Sequence, residues 1–155
     1  METDDEIKGK SYVHWKSWQE AYPGIVDQNY LDDLSLKKCE DMAFRWRDKI
    51  IIAKDGDRVV GFTSYGKYRG DDLENAGEVF AIYVLAEYYG CAVGYRLMKE
   101  AIAQLADDPV IVLRVLKENK RAIRFYECFG FHADGREETL QLGSSIKEMR
   151  MILER

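Results

Sequence analysis

Residues 77–98, GEVFAIYVLAEYYGCAVGYRLM, decide the fold. The first half of the stretch is rich in β-branched and aromatic residues, which is typical of a buried strand. Gly90 and Gly94 interrupt that run, and an apolar pattern with helical spacing continues to about Leu105. The stretch therefore predicts a strand, a tight turn and a helix. Unpaired N–H groups and partial positive charge at a helix N-terminus suit an anion such as pyrophosphate. The alternative interpretation of this turn is that its glycines only reverse the direction of the chain.

Two helices and a β-hairpin are predicted before this stretch. Aromatic residues at helical spacing indicate the first helix, and residues 1–9 are either a poorly ordered lead-in or the start of it. Asp55-Gly56, between two β-rich runs, is a strong hairpin signal. The upstream elements are a helix at residues 10–22, a helical segment at 28–49 broken near Ser35, strands at 50–54 and 58–65, and an exposed loop at 66–76.

The downstream part predicts one more helix and three strands. Pro109 ends the long helix, and the apolar run VIVLRVL that follows is typical of a buried strand. Asn119 is a suitable N-cap for a helix that reaches Phe129, and Gly130 follows its end. The strands are expected at residues 110–116, 131–141 and 145–153. This order predicts an α/β (α+β) fold with a mixed, mostly antiparallel central sheet flanked by helices, in one domain over residues 1–155.

Composition excludes several classes of protein. The net charge of −5 gives no basic surface for nucleic acid. No apolar run is long enough for a membrane helix, and the acidic start lacks the apolar core of a signal peptide, so we expect a cytoplasmic protein without a membrane partner. Cys39, Cys91 and Cys128 are odd in number and lack C-x-x-C spacing, which argues against disulfides and against a zinc site. His14 and His132 stand alone, so we expect no metal.

Four segments carry a resemblance to a known family. Residues 83–84 and 89–94, YV and YGCAVG, occupy the positions of an aromatic-Val pair and an Arg/Gln-x-x-Gly-x-Gly/Ala loop. Residues 119–131, NKRAIRFYECFGF, fit the more specific pattern Asn-x-x-Ala-x-x-Phe-Tyr-x-x-x-Gly-Phe. Residues 18–24, WQEAYPG, and 147–151, KEMRM, are similar to the opening and the last strand of many relatives. The chain thus resembles the GNAT superfamily of acetyl-CoA-dependent N-acetyltransferases over nearly its whole length.

The chain departs from the family pattern in two ways. Tyr89 stands where the family has Arg or Gln, and Ala92 stands at its first loop glycine, so a charge-assisted contact to pyrophosphate is missing and a Cβ restricts close approach. Reduced cofactor affinity is expected, offset by nearby cations. The candidate cations are Arg96, Lys120, Arg121 and Arg124. The family's first strand also has almost no room here, so either that strand is dispensable or the native protein begins upstream.

The resemblance implies acetyl transfer from acetyl-CoA to a primary amine by direct attack in a ternary complex. It implies that the strand backbone at residues 82–84 pairs with the pantetheine arm and that an N–H polarises the thioester carbonyl. The implied cofactor-binding residues are Ile82, Tyr83, Val84, Tyr89, Gly90, Cys91, Ala92, Val93, Gly94, Tyr95, Asn119 and Tyr126. Asn119 is equally explained as a plain helix cap.

Two residues are candidates for catalysis. The resemblance places Tyr126 beside the sulfur, where its phenol can protonate the departing thiolate, whereas the alternative is an aromatic that packs the helix onto the sheet. Glu78 falls where some relatives have a general base, and partial burial would raise its pKa toward neutrality. The alternative for Glu78 is a solvated carboxylate at the end of a strand.

The acceptor is expected to be a small-molecule amine or a peptide. The resemblance makes Trp15, Trp18, Tyr22 and Tyr30 candidates for an acceptor pocket; the alternatives are core packing or the surface of a homodimer. A non-catalytic acyl-CoA-binding or regulatory module on the same fold is the main alternative function. A dinucleotide-binding domain is a weaker one, because G-x-G-x-x-G after an early strand is absent.

Overall fold

The computed structural model describes residues 3–155, in which six strands form one sheet in the order β1-β2-β3-β4-β6-β5. Neighbouring strands are antiparallel except β3 and β4, which are parallel and are connected through α4. The elements are α1 (Asp4–Ala21), α2 (Gln28–Asp33), α3 (Leu36–Arg45), β1 (Ile50–Asp55), β2 (Arg58–Lys67), β3 (Ala76–Val84), a 3-10 turn (Ala86–Tyr88), α4 (Val93–Gln104), β4 (Val110–Leu116), α5 (Lys120–Glu127), β5 (His132–Gln141) and β6 (Ser145–Glu154). The predicted fold class is confirmed.

Apolar side chains on the two faces of the sheet pack against different helices. On one face, α4 and α5 cover a core that includes Leu113 and Met151. On the other face, the end of α1 and the start of α2 pack over Leu116 and Ile146. Alternation along β4 and β6 explains this division, because successive side chains of a strand point to opposite faces. Removing these apolar groups from water is the main force that holds the two layers of helices on the sheet.

The first helix begins at Asp4, so residues 4–9 are its first turns. Thr3 caps it: its Oγ1 accepts from the N–H of Glu6 at 3.1 Å, and the Glu6 carboxylate accepts from the N–H of Thr3 at 3.3 Å. This reciprocal pair is a capping box. The helix also lies close to β2 at Gly9, where a Cβ would be 2.6 Å from Val59 Cγ2. A glycine is therefore required at that point of contact.

The second helical segment breaks at Ser35, as predicted. Ser35 Oγ accepts from the N–H of Lys38 at 3.1 Å and caps α3. This helix ends at Arg45 instead of residue 49, and Lys49 has a left-handed φ of 55° that no α-helix accommodates. Within residues 3–155 no strand precedes α1. None of the described helices combines the length and apolarity that a membrane span needs.

A buried arginine fixes the loop between β2 and β3. Arg150 of β6 is 8% exposed, and its Nη1 donates to Asp72 Oδ2 at 2.7 Å and to Tyr68 Oη at 2.9 Å. The same guanidinium donates to the carboxylate of Asp134 in β5. Pairing with Arg150 lowers the pKa of Asp72 to about 2. These contacts therefore fix the loop, which also carries Arg69, to strands β5 and β6.

Candidate functional site

The two central strands separate part-way along their length. β3 and β4 pair from Ala76 opposite Val110 to Val79 opposite Leu113, and not beyond. β3 continues to Val84 on β2 alone, so the backbone on its other edge has no partner strand among the described residues. Buried backbone N–H and C=O groups need partners, so this edge is suited to an extended ligand.

A cavity of about 1080 Å³ opens where the strands separate. It extends from the N-terminus of α4 and α5 on one side to the end of α1 and the β5–β6 hairpin on the other. Its lining includes Ser17, Trp18, Tyr22, Ile25, Arg69, Phe80, Ile82, Tyr83, Val84, Tyr89, Gly90, Ala92, Val93, Gly94, Tyr95, Arg114, Leu116, Asn119, Lys120, Arg121, Arg124, Phe125, Tyr126, Leu140, Leu142 and Glu148.

The turn before α4 presents free backbone donors to this cavity. Gly90 has φ +82° and Ala92 has φ +64°, so the chain passes through two left-handed residues before the helix begins at Val93. No side chain caps this helix. The first N–H groups of α4 therefore lack intrahelical partners, and together with the helix dipole they form a site for an anion.

A guanidinium from α5 lies over this turn. The Cζ of Arg121 is 3.5 Å from the centre of the Tyr89 ring, a cation–π contact. Tyr89 takes the family's Arg/Gln position, so Arg121 restores positive charge beside it from another element. Lys120 and Arg124 line the cavity as well, whereas Arg96 does not. Basic side chains of α5 therefore supply the positive charge next to this anion site.

The helix α5 and its N-cap also bring Tyr126 and Asn119 to the cavity. Asn119 Oδ1 accepts from the N–H of Ala122 at 3.3 Å, so its side chain caps the helix. Tyr126 is 9% exposed, and within residues 3–155 its hydroxyl has no hydrogen-bond partner. Burial raises the pKa of Tyr126, and the neighbouring Tyr83 raises it further. The phenol therefore stays protonated and available as a donor.

Aromatic side chains form the opposite end of the cavity. Trp18 Nε1 donates to Tyr83 Oη at 3.1 Å, and the hydroxyls of Tyr22 and Tyr83 are 3.3 Å apart. Ser17 is 2% exposed and lines the same region, and its Oγ has no partner among the described residues. An unpaired buried hydroxyl costs free energy, so this wall suits a ligand that carries a polar group as well as an apolar body.

Charged side chains flank that aromatic end. Glu78 is 1% exposed; its Oε2 accepts from Arg69 Nε at 2.7 Å, and its Oε1 has no partner within residues 3–155. Arg69 also lies over the Phe80 ring, 4.6 Å from its centre. Arg114 is 3.8 Å from Glu138. Arg69 and Arg114 line the cavity, whereas Glu78 lies behind the lining.

Most of the residues predicted from the sequence line this one cavity. Of the predicted cofactor residues, only Cys91 lies outside the lining, with an exposed thiol. Trp18 and Tyr22, predicted for an acceptor pocket, line the aromatic end of the cavity, but Trp15 and Tyr30 do not. Trp15 Nε1 instead donates to the carbonyl of Leu34 at 3.1 Å and ties α1 to the α2–α3 connection. Tyr30 is 37% exposed beside Trp18.

The sequence model of the Acetyltransferase (GNAT) family matches residues 12–131. The chain belongs to this family. The match begins in α1 and ends just before β5, so it includes the separated strands, the turn before α4 and the helix that carries Tyr126. The predicted resemblance is confirmed.

Two Bacillus subtilis proteins are among the relatives of this GNAT chain. The uncharacterized N-acetyltransferase YuaI is 27% identical over 151 residues, which cover 94% of this chain and 86% of YuaI. A spermine/spermidine N(1)-acetyltransferase is 31% identical over 119 residues, which cover 71% of this chain and 78% of that protein.

Solved structures share the fold. PH1933 from Pyrococcus horikoshii has a TM-score of 0.75 and 22% identity, covering 100% of this chain and 94% of its own. The PaiA N-acetyltransferase from Thermoplasma acidophilum, solved with coenzyme A, has a TM-score of 0.73 and 20% identity, covering 99% of this chain and 95% of its own.

Sequence reasoning missed much of the aromatic end of this cavity. Arg114 interrupts an otherwise apolar strand, VIVLRVL, and that interruption is a signal that could have identified it. Glu148 lies two residues from the buried Ile146 and Arg150 of β6, so it shares their face of the sheet. Other lining residues that were missed include Ser17, Glu20, Ile25, Arg69, Leu140 and Leu142.

Proposed function

We propose that this GNAT-family protein transfers the acetyl group of acetyl-CoA to a primary amine, by direct attack in a ternary complex. One observation carries the proposal: the unpaired edge of β3 connects an anion site at α4 with an aromatic pocket at the end of α1, within one cavity. A nucleotide thioester needs the first two features, and an acceptor needs the third.

The residues present fit acetyl-CoA. Backbone N–H groups at the start of α4, with Arg121 and Lys120 nearby, would hold its phosphates. The free edge of β3 at residues 82–84 would pair with the amides of the pantetheine arm. When bound, acetyl-CoA supplies an activated acyl group. The coenzyme A complex of the PaiA neighbour supports this assignment.

The chain's own groups supply donors for the reaction. An N–H on the free edge of β3 would polarise the thioester carbonyl, which favours attack by the amine. Tyr126, held protonated by burial, would donate to the departing sulfur. Glu78 remains a candidate base through its unpartnered Oε1, although its other oxygen is engaged by Arg69.

A primary amine is the acceptor that the comparisons favour. The spermine/spermidine relative acts on amines, and both that protein and YuaI are N-acetyltransferases by name. The aromatic end of the cavity accommodates the body of such a molecule, and the carboxylates beside it would attract its positive charge.

Calorimetry and a thiol-release assay test the proposal. Purified protein should bind acetyl-CoA in the calorimeter and release coenzyme A thiol when supplied with acetyl-CoA and a panel of primary amines: a polyamine, an arylalkyl amine, an amino-acid amide and a short peptide. Absence of acetyl-CoA binding would refute it.

A second candidate is a non-catalytic acyl-CoA-binding or regulatory module. Tyr89 and the left-handed Ala92 favour it, because both weaken the resemblance of the turn to the family pattern. The assay separates the two: binding without thiol release across the whole amine panel supports the module and contradicts the enzyme.

A further inference from the structure

Three carboxylates and two guanidiniums lie in or next to the aromatic end of the cavity: Glu78, Glu138 and Glu148, with Arg69 and Arg114. Glu78 is paired with Arg69 at 2.7 Å, and Glu138 is 3.8 Å from Arg114. Glu148 has neither a hydrogen bond nor an ion pair with any residue of 3–155, yet it lines the cavity. The carboxylate of Glu148 is therefore not neutralised by direct contact with a cation.

Register places Glu148 on the acceptor side of the sheet. It lies opposite Leu116 of β4 on one side and opposite Glu138 of β5 on the other. Residues directly opposite one another in antiparallel strands share a face, and Leu116 packs with the end of α1. The carboxylate is thus on the same side as Trp18 and Tyr22, across the sheet from α5.

We propose that Glu148 binds the ammonium group of the acceptor and removes its proton. This inference rests on the proposed acetyltransferase function and assigns the step that prepares the nucleophile. One N–H bond of the ammonium breaks, its proton goes to a Glu148 oxygen, and the nitrogen keeps the electron pair. That pair forms the C–N bond to the acetyl carbon, the C–S bond breaks, and the departing sulfur takes the hydroxyl proton of Tyr126. The protonated amide nitrogen then loses its second proton, which returns through solvent to the Tyr126 oxygen, and Glu148 releases the first proton to solvent.

The electrostatic surroundings suit this role. Partial burial raises the pKa of Glu148. The charges of Glu138 and Glu78 raise this pKa as well, whereas the charges of Arg114 and Arg69 lower it. Burial raises the pKa values of Tyr22 and Tyr83, and the charge of Glu148 raises both further. A carboxylate with a raised pKa is a stronger base.

Glu78 is less well placed for the same task. It is 1% exposed, one of its oxygens is engaged by Arg69, and it lies outside the cavity lining. A base must come within hydrogen-bond reach of the proton that it removes. Glu148 meets that requirement because an acceptor that occupies the aromatic end of the cavity would lie against it.

The test compares Glu148→Gln with Glu154→Gln. Both variants remove one negative charge from β6, but Glu154 is outside the lining and its side chain is 64% exposed. Rates are measured by thiol release with whichever panel amine the wild type uses fastest. At pH 7.5, Glu148→Gln should reduce kcat/KM for the amine by about 100-fold, which is typical of a lost general base, and Glu154→Gln should stay within about twofold. Acetyl-CoA binding by calorimetry should be unchanged in both.

The pH profile separates a base from a structural residue. The deficit of Glu148→Gln should shrink as the pH rises toward 9.5, because more of the amine is then neutral in solution. Glu148→Gln within twofold of the wild type, or a loss that is equal at every pH, overturns the inference. A wild type that releases no thiol with any amine overturns the proposed function, and the inference with it.

Discussion

The guanidinium carbon of Arg121 lies 3.5 Å from the centre of the Tyr89 ring. The positive charge that the family pattern has in the turn before α4 is thus carried by α5 in this chain. The two residues depend on each other, because the Tyr89 ring orients a side chain that would otherwise extend into solvent.

Replacement of Arg121 by Ala should weaken acetyl-CoA binding by roughly tenfold, which corresponds to the loss of a charge-assisted contact. Calorimetric titration at low salt measures the effect, and rising salt should reduce the difference from wild type. Arg96→Ala is the matched control, since Arg96 is exposed on α4 outside the cavity lining. Equal binding by the two variants would contradict the assignment of Arg121.

Ala92→Gly should stabilise the protein by about 0.5–1 kcal/mol, because a left-handed φ of +64° is unfavourable for a residue with a Cβ. The same change should tighten acetyl-CoA binding, since the backbone of the turn becomes more approachable. Urea denaturation measures the free energy of unfolding. Gly90→Ala is the reverse experiment: with φ +82° and nothing within 4 Å of the added Cβ, its cost of about 1 kcal/mol comes from the backbone alone. A destabilised Ala92→Gly protein would refute this account.

Tyr126→Phe should reduce kcat by roughly 10- to 100-fold and leave the KM for acetyl-CoA within about twofold, because the phenol acts on the leaving sulfur and not on binding. Steady-state thiol release with both substrates varied gives the two constants. Tyr12→Phe removes a hydroxyl from an exposed position of α1 outside the cavity lining and should behave as wild type. A kcat for Tyr126→Phe equal to that of Tyr12→Phe would assign Tyr126 to packing.

His14 should make stability depend on pH. Burial, and next the charge of Lys10, lower the pKa of His14 to about 4, whereas the unfolded chain keeps the ordinary value near 6.5. The unfolded state therefore binds more protons between these values, so the contribution is complete above pH 6.5 and is lost as the pH falls toward 4. The full loss should reach about 3–3.5 kcal/mol.

Urea denaturation at pH 7.5 and pH 5 measures this difference. His14→Gln should lose less stability between the two pH values than the wild type does. His132→Gln is the control, because the His132 side chain is exposed and its ion-pair partner, Glu154 at 3.2 Å, is exposed as well. A pH dependence of His14→Gln as steep as that of the wild type would exclude His14 as its source.

Local signals in the sequence predicted most of the elements. Asp55-Gly56 predicted the β1–β2 hairpin, Ser35 predicted the break between two helices, and Asn119 predicted the start of α5. The start of α1 could also have been found, because Thr3 and Glu6 have the spacing of a capping box, but the polarity of residues 1–9 concealed it.

The aromatic end of the cavity could not be predicted from local signals of this kind. It depends on the strand order β4-β6-β5, which brings Glu148 beside residues of α1 that are more than a hundred positions away. The position of Arg69 depends on the contacts of Arg150 with Asp72 and Tyr68 across the sheet. Long-range pairing of this kind has no local sequence signal, whereas the turn before α4 lies within one continuous stretch.

The separation of β3 from β4 has a consequence for how long the folded chain persists. Its sheet is complete only when another molecule occupies the free edge beyond Val79. Such a ligand binds the folded state alone, and at a hundred times its Kd it adds about 2.7 kcal/mol to the free energy of unfolding. Turnover of the protein by proteases should therefore follow the supply of acyl-coenzyme A, with faster degradation when that pool is depleted.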